Sequence, residues 1–257
     1  MRLPAGQAAN AIRGAFGLAL HRTATTDEYA RLFKPRAAEG ASGLADVPRP
    51  FVFRCSHLEG LDAPREAGFA IDVHFFDRAD STIARFETAF AAWETLGLGP
   101  ARARVRLDRM EAFPACTLSL EAGAEVAERV TIRFVTPTEL KADGAVAPRP
   151  EFAALFARVR DRIATLRAIY GDGPLGIDFA ALGKRAAAVR MTRCDIRWER
   201  AQRRSGATGQ VHPMGGFTGE AEYQGRLAEF MPWLRAAQWT GVGRQTVWGK
   251  GEARVIS

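Results

Sequence analysis

The chain has 257 residues, of which 47% are hydrophobic and 25% charged, and its formal net charge is +7. This length predicts one large domain or two domains of about 100–150 residues each. No run approaches the roughly 18 apolar residues that a membrane-spanning helix needs, and Gln7, Asn10 and Arg13 interrupt the N-terminus where a secretory signal would be apolar. The three cysteines are scattered and form no Cys-x-x-Cys pair, which favours a reducing cytoplasm.

The positive charge is concentrated in two places. Eight basic residues lie between Lys184 and Arg204, and Arg102, Arg104 and Arg106 recur at a spacing of two, which on a strand places them on one face. Clustered cations of this kind are typical of a nucleic-acid binder. Alternatively, either cluster on its own could be a charged face that is exposed to water and binds nothing.

Helical and strand-like patterns alternate along the first half of the chain. Residues 6–22 predict a helix in which Gly14 and Gly17 make close contacts, and the residues from 29 to 49, rich in Gly, Ala and Pro, predict a loop. The remaining pattern predicts a helix at 83–96 and strands at 51–55, 67–76, 101–112 and 116–121.

The second half repeats this order with one strand more. Strands are predicted at 130–135, 189–198 and 216–225, with an amphipathic helix at 152–170, a basic loop at 199–210, a short helix near 227–234 and a final strand. The order is that of the split βαβ unit. We therefore predict an α+β fold with tandem ferredoxin-like (RRM-like, βαββαβ) domains at 1–124 and 125–257, the first without its first strand. The sheet face of this fold commonly binds RNA.

Glycine and cationic residues are concentrated between Gly241 and Val255. Glycine lets a backbone approach another molecule closely, and successive N–H groups can form an anion-binding concavity, to which Arg244 and Lys250 would add charge. A tight turn before the last strand is the alternative. No helix follows as a dinucleotide fingerprint requires, and Gly-Lys-Ser/Thr is absent. A phosphate bound here would therefore belong to a polymer.

Several motifs resemble those of the CRISPR-associated repeat-RNA endoribonucleases, the Cas-six-type members of the RAMP superfamily. The resemblance extends from end to end and is most specific in the last 45 residues. The motifs that carry it are Leu3-Pro-Ala-Gly6, Ile12-Arg-Gly-Ala-Phe-Gly-Leu-Ala-Leu20, Pro48-Arg-Pro-Phe-Val52, Gly97-Leu-Gly99, Gly215-Gly-Phe-Thr-Gly-Glu220 and Gly241-Val-Gly-Arg with Gly249-Lys-Gly251.

This resemblance implies metal-independent cleavage of a precursor transcript within each repeat. A ribose 2′-OH would attack the adjacent phosphate, leaving a 2′,3′-cyclic phosphate and a 5′-OH. It also implies tandem ferredoxin-like domains, no cofactor, and the repeat RNA as partner, both as precursor and as mature guide. Other CRISPR effector subunits and a homodimer are further partners that it suggests.

The resemblance also points to residues. His21, at the C-terminal end of the first predicted helix, is the first candidate acid or base, because histidine exchanges protons near neutral pH. Tyr29 and Lys34 are candidates for orienting the nucleophile and stabilising charge, and His212 is the runner-up base. The residues implied in RNA binding are Arg13, Arg203, Arg204, Gly241, Gly243, Arg244, Gln245, Thr246, Gly249, Lys250 and Gly251.

Structural roles remain as alternatives for three of these residues. His21 could be a surface histidine favourably placed at a helix end, Arg13 could serve domain packing, and His212 could form a turn before Pro213. The four histidines have no metal-ligand spacing, so no metal site is predicted. Two other functions stay open, a guide-RNA-binding subunit that does not cut and a basic small-molecule enzyme or regulator on a ferredoxin-like fold.

Overall fold

The computed structural model describes residues 1–35, 47–64, 66–77, 79–99, 101–123, 126–142, 144–199, 202–204, 211–213 and 215–256, with the backbone alone at 202–204 and 211–213. The chain divides into two compact units. The N-terminal unit comprises Met1–Thr117, Thr165–Gly173 and Val247–Gly249, and the C-terminal unit comprises Leu118–Ala164, Pro174–Thr246 and Lys250–Ser257.

Helices dominate the N-terminal unit. Its elements are α1 (Ala8–Thr23), α2 (Thr26–Phe33), β1 (Phe51–Arg54), a 3-10 turn (Ser56–Leu58), β2 (Asp72–Phe75), α3 (Asp80–Ala91) and α4 (Trp93–Leu96). The two strands are antiparallel, with Phe51 opposite Phe75 and Arg54 opposite Asp72. A cluster of fully buried aromatic side chains fills the core between helices and strands, comprising Phe16, Phe51, Phe53 and Phe86.

Two sequence predictions for this unit are wrong. The predicted strands at 101–112 and 116–121 are not formed: the described residues 104–120 contain no helix or strand, and the nearest pairing is a bridge between Leu98 and Ala103. Arg102 has a positive φ of 48°, so Arg102, Arg104 and Arg106 do not share a strand face. An alternating pattern fixes which side chains share a face, but a strand also needs a neighbour for its backbone hydrogen bonds.

The predicted loop at 29–49 begins instead with the last turns of a helix. Residues 26–33 form α2 because Thr25 and Glu28 make a capping box, in which the Thr25 hydroxyl accepts from the Glu28 N–H and the Glu28 carboxylate accepts from the Thr25 N–H. This cap satisfies two donors that would otherwise lack partners at the helix start. The positions that follow, 36–46, lie outside the described residues.

The C-terminal unit has the predicted βαββαβ order. Its elements are β3 (Arg129–Thr138), a short hairpin of β4 (Lys141–Ala142) and β5 (Ala145–Val146), α5 (Phe152–Tyr170), α6 (Phe179–Ala187), β6 (Arg190–Glu199), β7 (Gln202–Arg204), β8 (Val211–Pro213), β9 (Gly216–Gln224), α7 (Met231–Thr240) and β10 (Ala253–Val255). The residues of α5 from Thr165 onward belong to the N-terminal unit. A 3-10 turn at Thr246–Trp248, of which Val247 and Trp248 belong to the N-terminal unit, precedes β10. The main sheet has the order β10-β3-β9-β6 with antiparallel neighbours, which is the ferredoxin-like arrangement.

Aromatic packing holds this sheet to its helices. Phe152 and Phe156 of α5 meet the Phe230 ring edge-to-face, and Phe152 makes the same kind of contact with the ring of Tyr223 on β9. The amphipathic pattern at 152–170 is therefore confirmed as a helix that covers the sheet. Among the described helices, none combines the length and apolar composition that a membrane span requires.

Candidate functional site

The structure brings three predicted catalytic residues of the N-terminal unit together. His21 lies exposed in the last turn of α1, and its ring meets the ring of Tyr29 edge-on at a centroid distance of 4.9 Å. Lys34, exposed just after α2, places its Nζ 5.7 Å from the centroid of the same Tyr29 ring. Tyr29 is thus the centre of a cluster that contains an imidazole, a phenol and an ammonium group.

Helix α2 places Tyr29 through its period and its cap. Tyr29 and Phe33 are four residues apart, so they share one face of α2, and their rings stack at 5.4 Å with an interplanar angle of 28°. The hydrogen bond from the Thr25 backbone N–H is the main cause of a lowered pKa at the Glu28 carboxyl, with further lowering by the Thr25 hydroxyl and Arg85. The carboxylate that caps α2 is therefore held in its charged form.

Two ion pairs join α2 to the region around α3. Arg85 of α3 donates through Nε to Glu28 at 2.7 Å. Arg31 pairs with Asp77 and also donates to the buried hydroxyl of Thr82 at 3.1 Å, while that hydroxyl donates to Asp77 at 2.9 Å. These contacts fix the rotation of α2 about its own axis, and with it the direction of Tyr29.

Phe33 also packs closely against α1. A Cβ placed on Gly17 would collide with Cζ of the Phe33 ring and would lie 2.8 Å from Cε1. The guanidinium groups of Arg13 and Arg49 lie over the Phe33 ring at 4.6 and 5.3 Å, and Arg49 Nε donates to the Phe33 carbonyl at 2.6 Å. A Cβ placed on Gly14, by contrast, would meet nothing within 4 Å, so the predicted close contact at Gly14 is wrong.

Arg13 is buried, and its guanidinium lies over two aromatic rings of the N-terminal unit. Its Cζ lies 3.4 Å from the centroid of the Trp248 ring as well as 4.6 Å from that of Phe33. Phe33, Arg49 and Trp248 were not among the predicted site residues. The spacing of four between Tyr29 and Phe33 is the one available signal, and the Gly-, Ala- and Pro-rich composition of residues 29–49, which predicts a loop, obscures it.

The glycines of the glycine loop, residues 241–251, have left-handed backbone conformations, and two of them pack closely against backbone carbonyl groups. Gly241, Gly243, Gly249 and Gly251 have φ values of +72°, +77°, +70° and +68°, a region that side chains disfavour. A Cβ on Gly251 would collide with the Val242 carbonyl, and one on Gly243 with the Glu139 carbonyl.

Several N–H groups of this loop already have acceptors within the C-terminal unit. Val242 donates to Gly251, Arg244 to Glu139, and Gly251 to Pro137, at 2.9, 3.1 and 3.2 Å. Much of the glycine content thus serves the tight turn that was the alternative interpretation of this run. A tight turn does not exclude a contact with RNA, because in both cases another group must come close to the glycine backbone.

The cationic and polar residues of the loop differ in exposure. Arg244 is 50% exposed and its Nη1 pairs with Glu139 at 2.6 Å. Lys250 is only 9% exposed and Thr246 is buried. Gln245 is half-buried with a φ of +63°. Arg244 is therefore the loop cation that reaches solvent most.

The remaining candidates are less informative. Arg203 and His212 are paired backbone positions on β7 and β8, but their side chains, like that of Arg204, lie outside the described part of the chain. His57 Nε2 lies 3.0 Å from the Ala70 carbonyl, and His74 is a half-buried strand residue opposite Val52.

The predicted basic region of β6 lies on a sheet face of mixed charge. Its arginines and those of β3 pair with carboxylates of β6 and β9: Arg129 with Glu222, Arg133 with Glu220, Arg193 with Asp195 and Glu220, and Arg197 with Glu199. A shallow groove of about 570 Å³ on this face is lined by both signs of charge. Among the described residues, the four paired arginines of this face are thus offset by four carboxylates, which weakens the attraction for a polyanion. No group of three His, Cys, Asp or Glu side chains suited to a metal ion occurs among the described residues.

Family comparisons cover nearly the whole chain. The model of the CRISPR-associated endoribonuclease Cas6 matches residues 132–253, and a second family model, described as an N-terminal domain, matches residues 1–129. No curated protein sequence matches at a significant level.

Solved structures of similar fold extend from one end of the chain to the other. A Thermus thermophilus Cas6 in a product complex has a TM-score of 0.65 at 21% identity and covers 98% of this chain and 94% of its own. A second Cas6 is similar both in a product complex (TM-score 0.58, 20% identity, 97% and 93% covered) and with a substrate mimic (TM-score 0.52, 19% identity, 96% and 92% covered). At these identities the likeness establishes the fold.

The fold is thus that of the Cas6 proteins, which are built from tandem ferredoxin-like domains. Within it, the Cas6 match spans the ferredoxin-like sheet and the glycine loop together. The match to the Cas6 family model covers residues 132–253, and together with the fold of the whole chain it identifies a Cas6-type endoribonuclease, of a family whose members process CRISPR repeat RNA.

Proposed function

We propose that this endoribonuclease cleaves its repeat RNA at the cluster of His21, Tyr29 and Lys34, without a metal ion. The observation that carries the proposal is the position of the Tyr29 ring, which contacts the His21 ring at 4.9 Å and lies 5.7 Å from Lys34 Nζ. These three groups come from two helices, and all can donate a proton or a hydrogen bond. Their convergence at the surface supports a site for a phosphodiester rather than a chance grouping.

The proposed reaction is an intramolecular transesterification. The ribose 2′-oxygen bonds to the adjacent phosphorus as its proton leaves, and the bond from phosphorus to the 5′-oxygen breaks as that oxygen gains a proton. The products are a 2′,3′-cyclic phosphate and a 5′-OH. The reaction therefore needs proton transfer and stabilisation of the negative charge that develops on the phosphorane.

Each residue has a role that its chemistry fits. His21 is the acid or base, because an imidazole can both donate and accept a proton. Lys34 supplies a positive charge for the phosphorane. The Tyr29 hydroxyl orients the nucleophile, and its ring holds the His21 ring edge-on.

We further propose that the glycine loop holds RNA backbone, with Arg244 as its principal cationic contact and with Gly241, Gly243, Gln245, Thr246, Gly249, Lys250 and Gly251 shaping the surface. The half-exposed guanidinium of Arg244 supports this assignment. The product and substrate-mimic complexes of the similar Cas6 proteins are consistent with an RNA partner for this chain. Since the substrate is a transcript, we expect the protein to act in the cytoplasm.

One assay tests the chemistry. Purified protein is incubated with end-labelled repeat RNA in EDTA, beside the same RNA carrying a single 2′-deoxy residue at the cut position. We expect cleavage of the first RNA to a 5′-OH fragment and none of the second. Cleavage that stops in EDTA and returns with a divalent cation would overturn metal independence, and tight binding without product would identify a guide-RNA-binding subunit.

A further inference from the structure

Three residues inside the glycine loop belong to the N-terminal unit. Residues Val247–Gly249 lie with that unit, whereas the residues on both sides belong to the C-terminal unit. Val247 is buried in the N-terminal hydrophobic core, and a Cβ on Gly249 would lie 2.7 Å from Ala9 Cβ and 3.4 Å from Cys55 Sγ. This short segment is therefore packed too closely to shift without disturbing α1.

Trp248 begins a continuous series of contacts that ends at the proposed acid or base. Its ring lies 3.4 Å from Arg13 Cζ, and Arg13 Cζ lies 4.6 Å from the Phe33 ring. Phe33 stacks on Tyr29 at 5.4 Å, and Tyr29 meets His21 at 4.9 Å. Three side chains, those of Arg13, Phe33 and Tyr29, thus connect Trp248 to His21, and all five residues lie within the N-terminal unit.

We propose that Trp248 is a positioning residue for the cleavage reaction. This inference rests on the proposed role of the His21–Tyr29–Lys34 cluster. The Trp248 ring fixes the Arg13 guanidinium, Arg13 fixes the Phe33 ring, and Phe33 sets the angle at which Tyr29 faces His21.

The physical argument concerns a long cationic side chain in the interior. Arginine has several rotatable bonds, and a planar guanidinium stacks well on aromatic faces. Without the indole, the buried Arg13 side chain would lose one of its aromatic contacts and gain freedom to move. Because Phe33 packs against Gly17 with no space to spare, a shift of Arg13 would be transmitted to Phe33 and to the stacked Tyr29 ring.

A positioning role predicts a specific kinetic signature. A displacement of about 1 Å at a reacting group can cost about 10²-fold in rate, while contacts that bind the substrate equally in ground and transition states leave the rate at saturation unchanged. Loss of Trp248 should therefore slow the chemical step and leave RNA affinity nearly intact. A direct RNA contact would show the reverse.

The test is Trp248→Ala, with Trp239→Ala as the matched control, since Trp239 is a tryptophan on α7 that is 44% exposed and lies outside the cluster. Under single-turnover conditions at saturating protein, we expect Trp248→Ala to cleave repeat RNA at least about tenfold more slowly, with Kd changed less than about threefold. Trp239→Ala should match the wild type in both. An unchanged rate in Trp248→Ala, or a loss confined to Kd, would overturn the proposal.

Two further measurements cover other outcomes. If Trp248→Ala fails to fold, Trp248→Phe should retain more of the rate than Trp248→Leu, because only phenylalanine keeps an aromatic face for Arg13; equal rates would refute the role. The imidazole NMR signals of the four histidines provide a readout without cleavage. The His21 signal, assigned with His21→Ala, should shift in the Trp248 variants, whereas that of His57 should not.

These readouts separate this inference from the proposed function. If the wild type does not cut the RNA, the proposed function fails. The His21 NMR signal in the Trp248 variants then still shows whether Trp248 positions the His21 ring. If the wild type cuts and Trp248→Ala is unchanged in rate and in the His21 signal, the positioning inference alone fails.

Discussion

Gly14 and Gly17 lie three residues apart on α1 and provide a matched pair of substitutions. A methyl group on Gly17 would collide with the Phe33 ring, whereas one on Gly14 would meet nothing within 4 Å. We expect Gly17→Ala to lower the free energy of unfolding by about 1–3 kcal/mol through overpacking. Gly14→Ala should raise it by about 0.5–1 kcal/mol, because alanine loses less backbone entropy in a helix.

Urea denaturation of both variants checks this prediction. Similar midpoints for the two would show that the Phe33 ring can move aside at little cost. The same two variants also test the proposed cleavage site, because the Tyr29 ring stacks on the Phe33 ring. Gly17→Ala should slow cleavage at saturating protein, and Gly14→Ala should not.

The cleavage cluster itself is tested at His21 and Tyr29. We expect His21→Ala to slow single-turnover cleavage by roughly 10²-fold or more, the range for loss of a general acid or base. His57→Ala, an exposed histidine of the same unit that contacts the Ala70 carbonyl, should keep the wild-type rate. A His21→Ala rate equal to that of the wild type would remove His21 from the mechanism.

Tyr29→Phe separates the ring from its hydroxyl. The variant keeps the edge-on contact with His21 and the stack on Phe33, so a slower rate would assign the hydroxyl a role in the reaction. If Tyr29→Phe is normal but Tyr29→Leu is slow, the ring alone matters.

At the scale of elements, α2 is the structure on which the site depends. The lowered pKa of Glu28 gives its ion pair and cap a pH dependence whose sign is fixed. Because the pKa in the folded state is below the ordinary value of 4.5, the stability that Glu28 contributes is fully present above that value. It is lost as the pH falls through the lower, folded-state pKa.

Glu28→Gln isolates this contribution. Glutamine can still accept from the Thr25 N–H in the capping box, but it carries no charge for Arg85. We expect the wild type to have the higher Tm at pH 7 and the difference to shrink as the pH is lowered toward 3. A difference that is constant with pH would show that the charge of Glu28 does not stabilise α2.

The elements show why prediction succeeded in some places and failed in others. The βαββαβ order of the second half was predictable because the apolar period of α5 and of the strands is set by burial of one face. The Thr25-x-x-Glu28 spacing is a usable signal for the start of α2. The glycine and alanine content after residue 36, however, predicts a loop. The strand at 101–112 could not be judged from its alternation alone, because pairing depends on a partner distant in sequence.

The site was predictable only in part for the same reason. His21, Tyr29 and Lys34 lie close in sequence and were candidates by resemblance, and their proximity follows from two consecutive helices. The contact of Trp248 with Arg13 joins residues 235 positions apart in the chain numbering. No local pattern indicates such a contact, because it depends on how the whole unit packs.

At the scale of the whole molecule, the question is where the net charge of +7 can act on a polyanion. The arginines on the C-terminal sheet face are paired with carboxylates of the same face, and Arg185 of α6 is held by both oxygens of Glu229, a hydrogen-bonded pairing that raises the pKa of Arg185. These pairs leave little net charge on that face for RNA. The exposed cations near the proposed site and in the glycine loop are therefore the better candidates for contact with the backbone.

Arg244 tests this distribution of charge. Its guanidinium is half-exposed, and a phosphate could take the place of Glu139 as its partner. We expect Arg244→Ala to weaken repeat-RNA binding and to reduce the slope of log K against log salt by about 0.7, the value for one phosphate contact on a single strand. Arg109→Ala is the matched control, because Arg109 is an exposed arginine paired with Glu111 at 2.9 Å. If both variants change the salt slope equally, RNA responds to the overall charge of the protein, and the glycine loop has no special part in holding it.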